Sequence, residues 1–205
     1  RRKSHSFYQN IRTVFTIHNL RYQGVCDRSY MQYCTRLPDE VFDHGGMSWH
    51  GWTANPMRCG IYYADRVTTV SERYAEEIQQ PEFGEGLCDL LRERREAVSG
   101  IINGLDYSVF SPERDQYLSV HFSASTVRDG KARYKEQLQR DFGLRVDPNA
   151  FLAASISRLT DQKGIDLIVA AAARLISRGA QIIITGDGDD EHTRMVNELG
   201  QRFPG

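Results

Sequence analysis

The stretch Ser157-Arg158-Leu159-Thr160-Asp161-Gln162-Lys163-Gly164 carries the strongest local chemistry in the sequence. It places a guanidinium and an ammonium just ahead of an apolar helical run that begins at Ile165. A helix amino terminus offers unsatisfied N–H groups and a partial positive charge. Two cations flanking such a terminus suit a diphosphate. Arginine grips phosphate oxygens with a planar fork of donors, and lysine adds a compact charge. Charge and spacing alone describe two solvated surface cations equally well. Gly186-Asp187-Gly188-Asp189 follows a second β-branched run. Glycines there let backbone come close to a ligand, which makes Gly186 a substrate-binding candidate, although a tight turn explains the same residues. His18, in Ile17-His18-Asn19, has a ring that can hydrogen-bond a sugar hydroxyl or support developing charge; a structural histidine at a strand end is the plainer reading. Asn103, in Ile102-Asn103-Gly104, has the donors and acceptors to recognise a polyol, and Asn-Gly is equally a turn signal.

Short β-branched or apolar runs must position these groups. Residues 12–17, 66–70, 98–102, 151–156 and 181–185 read as strands, and their unbroken apolar character suits parallel strands covered on both faces. Helices are expected at 55–64, 72–79, 87–96, 131–142 and 165–177, with a last one capped by Asp189 or Asp190. Pro56 stands near the start of the first, and Ser71 is a natural cap for the second. Ile165, Ile168, Ala172, Leu175 and Ile176 share one face of the 165–177 helix, and Gly179 follows as its stop. Alternating strands and helices imply an α/β fold with a mainly parallel sheet, and 151–185 makes a complete βαβ unit. Residues 106–112 read as an extended connector, and the domain boundary falls near 104–115. Residues 19–52 show no clean periodicity, yet hold Tyr22, Tyr30, Tyr33, Phe42, Trp49 and Trp52, whose rings either stack on sugars or pack the loop. Gln80–Gly86 reads as a second loop.

The chain has 205 residues, with 26 Lys+Arg against 27 Asp+Glu, a net charge of −1. That balance argues against a dedicated nucleic-acid binder and against a highly charged disordered chain. Forty per cent of the residues are hydrophobic, enough for a real core, while a mean hydropathy of −0.52 leaves much of the chain wet. No apolar run approaches the roughly 18 residues of a membrane span. Arg1–Phe7 is basic but has no apolar segment behind it, so it does not read as a secretory signal, and without an initiator Met the chain reads as a piece of something longer. Cys26, Cys34, Cys59 and Cys88 form no CxxC and no zinc spacing, and read as reduced thiols.

Taken in order, the motifs resemble one family, the bacterial glycogen synthases and plant starch synthases. Phe15-Thr16-Ile17-His18-Asn19-Leu20 with Tyr22-Gln23-Gly24 is similar to that family's FTIHNLxYQG stretch. Residues 60–71 (GIYYADRVTTVS), Pro81-Glu82-Phe83-Gly84, Gly100-Ile101-Ile102-Asn103-Gly104 with Asp106 and Pro112, and residues 157–167 (SRLTDQKGIDL) are similar to its other blocks. The resemblance covers nearly the whole chain. It implies a GT-B-type glycosyltransferase with parts of two Rossmann-like domains flanking an active-site cleft. Residues 1–104 would be the C-terminal part of the acceptor-side domain. Residues 105–205 would be the linker and first part of the nucleotide-sugar-binding domain. The implied reaction is retaining transfer of glucose from ADP-glucose to the non-reducing end of an α-1,4-glucan, without metal or other cofactor, nucleic acid or membrane. The enzyme would sit in the bacterial cytoplasm or, in a plant, the plastid.

The resemblance makes Arg158 and Lys163 the groups that hold the donor diphosphate and offset charge on the leaving group. His18 would contact the donor glucose near the reacting carbon, and Asn103 would line the donor side. No nucleophile–base pair is evident, so the implied chemistry is positioning plus charge stabilisation. The family's Lys-x-Gly-Gly-Leu loop is absent, as is its later segment with a glutamate pair. Its usual Gly-Thr-Gly-Asp is Gly186-Asp187-Gly188-Asp189 here, with one more carboxylate. Gly45–Asn55 is close to, but not identical with, the family's Gly-Lys-x-Asn-Trp pattern. On these departures the isolated chain is expected to be inactive. The alternatives are a catalytically silent nucleotide- or glucan-binding module, and a related transferase using another nucleotide sugar.

Overall fold

The computed structural model describes residues 5–43 and 46–204. Part of the stretch read for a signal sequence, and Gly45 at the head of Gly45–Asn55, lie outside the described residues. Two compact units divide the chain, Arg1–Leu105 and Asp106–Gly205.

In the first unit the runs at 12–17, 66–70 and 98–102 become β1 (Val14–Ile17), β4 (Arg66–Thr69) and β5 (Val98–Gly100). They form a three-stranded sheet in the order β1-β4-β5, parallel throughout, with Val14 beside Arg66 and Thr68 beside Ser99. Two helices prepare β4 and β5. The first is α3 (Pro56–Tyr63), where Pro56 takes the first turn and the Asn55 side-chain Oδ1 accepts from Arg58 N at 2.9 Å. The second is α4 (Glu72–Glu77), capped by Ser71, whose Oγ accepts from Tyr74 N at 2.9 Å. Gly60 lets α3 close onto β1: a Cβ there would lie 2.4 Å from the Phe15 ring. Arg94 pins the end of α3, donating to the Ile61, Tyr62 and Ala64 carbonyls at 2.6 to 2.7 Å. The core between sheet and helices is Ile17, Leu20, Ile61, Val67, Ile78, Leu87 and Leu91.

The region 19–52 is more ordered than its pattern suggests. It contains β2 (Cys26–Asp27), α1 (Arg28–Thr35) and α2 (Asp39–Asp43), and β2 pairs antiparallel with β3 (Thr53–Ala54). Phe42, Met47 and Ala54 form a small second core. Arg28 joins the two helices, 2.6 Å from the Asp43 carboxylate and 5.4 Å above the Phe42 ring. Two-residue strands and helices of eight and five residues are too short to print a period on the sequence. The aromatics expected to stack or pack there do neither uniformly. Phe42 is buried and Trp49 packs on the larger core, while Tyr22, Tyr30, Tyr33 and Trp52 are exposed. The helix expected at 87–96 ends early, as α5 (Cys88–Glu93) followed by a 3-10 turn at Arg95–Ala97.

The second unit opens with turns, not with an extended connector. The Asp106 carboxylate accepts from the Ser108 N–H and hydroxyl, and its carbonyl accepts from Phe110 N at 2.7 Å. These bonds fold the chain back on itself. Helix α6 (Val127–Asp141) begins before the expected 131, because Phe122 packs on the bare Cα of Gly130, where a Cβ would lie 2.5 Å from the ring. Strands β6 (Leu152–Ile156) and β7 (Gln181–Thr185) pair in parallel, Ala154 beside Ile183. Helix α7 (Ile165–Ile176) connects them, and α8 (Asp190–Arg202) follows. Buried Ile165 and Ala172 carry the inner face of α7. Gln139 and Gln181, both buried, bond each other at 2.6 Å and satisfy the backbone at Asp147 and Arg145, joining α6 to β7. The strands are parallel, as their composition suggests, but not covered on both faces. Val14, Phe151 and Ile156 are largely exposed, Ile156 at 84%. Sheets of two and three strands present open edges and faces that a wider sheet would cover.

The four cysteines are free thiols, and burial pushes the Cys59 thiol above its ordinary value. Among the described residues no helix is long and apolar enough to cross a membrane.

Candidate functional site

In the second unit, β6 and β7 end at the same edge of their sheet, and the chain beyond both strands forms the candidate site. Ser157 N donates to Thr185 O at 3.2 Å, Leu159 N to Asp187 O at 2.9 Å, and Asp189 N to Leu159 O at 3.0 Å. The parallel ladder therefore continues past both strands as a bridge between Leu159 and Gly188. Strand alternation continues with it. Ser157 is half-buried, Arg158 exposed and Leu159 buried.

After Thr160 the chain makes a 3-10 turn over Asp161–Lys163 and then enters α7 through Gly164, at φ 64°. Lys163 N bonds Thr160 O at 3.0 Å, and Gly164 N bonds Asp161 O at 2.9 Å. Gly164 takes the left-handed conformation that turns the chain into the helix. Gly164, in the cap position of α7, makes no side-chain cap bond to the first N–H groups of the helix. Arg158 and Lys163 lie exposed on either side of this turn, and the Leu159 and Ile165 side chains anchor it to the core. Such an arrangement can hold an anion with two charged donors and a helix amino terminus.

Acidic side chains stand close by in sequence: Asp161 in the turn, Asp166 in the first turn of α7, and Asp187 and Asp189 in the facing loop. The Asp187 carboxylate accepts from Gly188 N at 2.9 Å, folding back on its own loop. Asp189 caps α8 by position without a side-chain bond to it, and stands 3.7 Å from His192 Nδ1. Thr160 Oγ1, His192 Nδ1 and Thr193 Oγ1 are buried without a hydrogen-bond partner. Among the described residues no three His, Cys, Asp or Glu side chains come together as metal ligands.

In the first unit, β1, β4 and β5 likewise end at one edge. His18 follows β1 with its ring exposed. The loop around it is pinned on both sides: Ile17 O accepts from the buried Thr69 hydroxyl at 2.8 Å, and Leu20 N donates to the Tyr74 hydroxyl at 3.1 Å. Ile101 N bonds Thr69 O at 2.7 Å and carries the sheet edge towards Asn103. No turn forms at Asn103-Gly104, and Asn103 is exposed. The fold thus brings His18 and Asn103 to one sheet edge of the first unit, and Arg158, Lys163 and Gly186 to one sheet edge of the second.

Sequence reasoning overlooked a linking role inside one of its motifs. Gln23 accepts from the buried Asn55 amide at 2.5 Å, and its own amide donates to Glu85 O at 2.8 Å. One side chain so ties the loop after β1, the start of α3 and the Gln80–Gly86 loop together. Gly24, at φ 69°, lies against Pro56, and Gly86, at φ 79°, against Trp49. The neighbouring Asn55-Pro56 helix start was the available signal, but the long-range partner was not.

Residues 1–93 match the starch synthase catalytic domain family. Glycogen synthase of Lachnospira eligens is 42% identical over 96% of this chain and 41% of its own length. That of Desulforamulus reducens is 40% identical over 98% and 42% respectively. That of Exiguobacterium sibiricum is 44% identical over 90% and 38%. Among solved structures, the catalytic domain of starch synthase IV from Arabidopsis thaliana, bound to ADP and acarbose, aligns with a TM-score of 0.86 at 30% identity, over 96% of this chain and 40% of that one. The chain spans about two fifths of the length of the relatives it matches.

Proposed function

The chain belongs with the glycogen and starch synthases, its residues 1–93 being a stretch of their catalytic-domain family, and on that premise we propose that it supplies part of a glucosyltransferase. Its fold is α/β of the GT-B type, with parts of two Rossmann-like units. The proposed reaction moves glucose from ADP-glucose to the non-reducing end of an α-1,4-glucan, with retention at the anomeric carbon. Residues 1–104 are assigned to the acceptor side, and 105–205 to the linker and the nucleotide-sugar-binding side. The cytoplasm of a bacterium or the plastid of a plant is the proposed location.

One observation carries the reading. Arg158 and Lys163 flank an uncapped helix terminus at the carboxyl edge of a parallel sheet, where open α/β sheets receive nucleotides. The leaving group of the proposed reaction is ADP, whose terminal phosphate gains negative charge as the bond to the sugar breaks. A guanidinium and an ammonium set there beforehand stabilise that charge without reorganising. Both are assigned as catalytic groups. His18 is assigned to the donor glucose near its reacting carbon, Asn103 to the donor side, and Gly186 to the edge of the nucleotide site. The ADP held by the Arabidopsis relative is the kind of ligand this loop suits.

The test is titration of the chain with ADP and with inorganic pyrophosphate by calorimetry. Arg158→Ala or Lys163→Ala should each weaken binding by roughly ten- to a hundredfold, the loss of a charge-assisted contact of about 1.5–3 kcal/mol, without lowering the melting temperature. Unchanged affinity in both variants would remove the diphosphate role.

A further inference from the structure

Gly186 and Gly188, by residue type, let backbone approach a ligand. In the structure what approaches them is another loop of the protein. A Cβ on Gly186 would lie 1.8 Å from Ser157 O. A Cβ on Gly188 would lie 2.2 Å from Leu159 O and 2.7 Å from Leu159 N. These clashes are with backbone, which cannot rotate away as a side-chain end can. Only glycine at both positions permits the Leu159–Gly188 bridge and its two hydrogen bonds, at 2.9 and 3.0 Å.

That bridge has a directional consequence. Successive side chains on an extended ladder leave opposite faces, and a slip of one residue exchanges them. With Leu159 held inward, Arg158 must leave the backbone outward; a slipped register would turn its guanidinium to the face that now buries Leu159. Lys163 is placed differently, by the local bonds of its own 3-10 turn. The two cations are therefore set by separate devices.

We infer that Gly186 and Gly188 are positioning residues: side-chain-free, they extend the parallel ladder onto Ser157 and Leu159 and so aim Arg158 at its anion. This rests on the reading of Arg158 as a diphosphate ligand. It gives the Gly186–Asp189 loop a positioning task beside the place of Gly186 at the edge of the nucleotide site, and it accommodates the added Asp187 carboxylate, which is turned back onto Gly188 N.

The experiment is a double-mutant cycle on the chain, read as affinity for inorganic pyrophosphate. Gly188→Ala should weaken binding about tenfold or more, approaching the effect of Arg158→Ala. The double variant should bind no more weakly than Arg158→Ala alone, because the glycine acts through the arginine. A merely structural glycine would weaken the double variant by the same further factor as the unsubstituted chain, and that additivity would overturn the inference. Gly188→Ala binding as tightly as the unsubstituted chain, while Arg158→Ala does not, would overturn the positioning role and leave the diphosphate reading standing. Arg158→Ala and Lys163→Ala both binding normally would overturn the diphosphate reading and this one with it. Should Gly188→Ala fail to fold, hydrogen exchange of the unsubstituted chain decides. Leu159 and Asp189 amides should be protected, and exchange at the rate of an exposed loop would show that the ladder does not hold.

Discussion

Asn55 bears more of the first unit than its place before a proline announces. It is fully buried, caps α3 through its side-chain Oδ1, and donates its side-chain amide N–H to Gln23. Asn55→Ala removes the cap and leaves the Gln23 oxygen without its donor. The expected cost is about 2 kcal/mol, from a lost helix cap and an unsatisfied polar group together. Urea unfolding followed by the fluorescence of Trp49, which packs on the same core, should show the midpoint fall. A shift of under about 0.5 kcal/mol would mean that Gln23 and the α3 terminus find other partners. Asn103 teaches the opposite lesson. Its Asn-Gly pair signals a turn by composition, and no turn forms. The ladder bond from Ile101 N to Thr69 O holds the preceding residues to the sheet edge, so long-range pairing governs where local propensity pointed elsewhere.

Helix α1 shows what a single cap can do for a short element. Asp27 accepts from the Ser29 hydroxyl and from Tyr30 N, and these bonds hold its carboxyl below the ordinary 3.8. A lowered carboxyl favours the folded state in its ionised form. The stabilisation of α1 is therefore complete above the ordinary carboxylate range and is lost as pH falls through the lowered value, in the region below 3.8. An NMR pH titration of the Tyr30 amide should show its midpoint there, and Asp27→Asn should abolish the dependence. A midpoint at or above 3.8 would contradict the cap. The helix escaped the sequence reading because an eight-residue element without buried residues leaves no apolar stripe. Helix α7 was legible for the converse reason: twelve residues, apolar on the inner face, ended by Gly179 at φ 86°. Helix α6 stood between the two. It was expected from 131, yet it starts at Val127 and runs through Gly130, on which Phe122 packs.

At the level of the whole molecule, the chain divides into two compact units, Arg1–Leu105 and Asp106–Gly205. Among the described residues none of the three sheets exceeds three strands, and apolar side chains such as Ile102, Phe151 and Ile156 remain open to solvent. The chain matches about two fifths of its relatives' length. Residues that the other three fifths supply are not available to it, so the 205-residue chain alone should incorporate no labelled glucose from ADP-glucose into glycogen above a blank. Incorporation above that blank would show that this stretch suffices for transfer. Diphosphate binding is the smaller task, and the 157–164 turn, anchored by Leu159 and Ile165, should perform it without turnover.

Composition and spacing were enough to establish the parallel strands, the larger helices and the loop where Arg158 and Lys163 sit. Those features are local: β-branched runs, caps and a helical period write themselves into neighbouring residues. Contacts between segments distant along the chain leave no such mark. That Gly186 and Gly188 lie against the backbone of Ser157 and Leu159, that Gln23 joins Asn55 to Glu85, and that Phe122 admits Gly130 into a helix were settled by tertiary packing alone. A missing side chain reads the same in sequence whether a nucleotide or a neighbouring strand occupies the space it leaves, and only the folded backbone distinguishes the two.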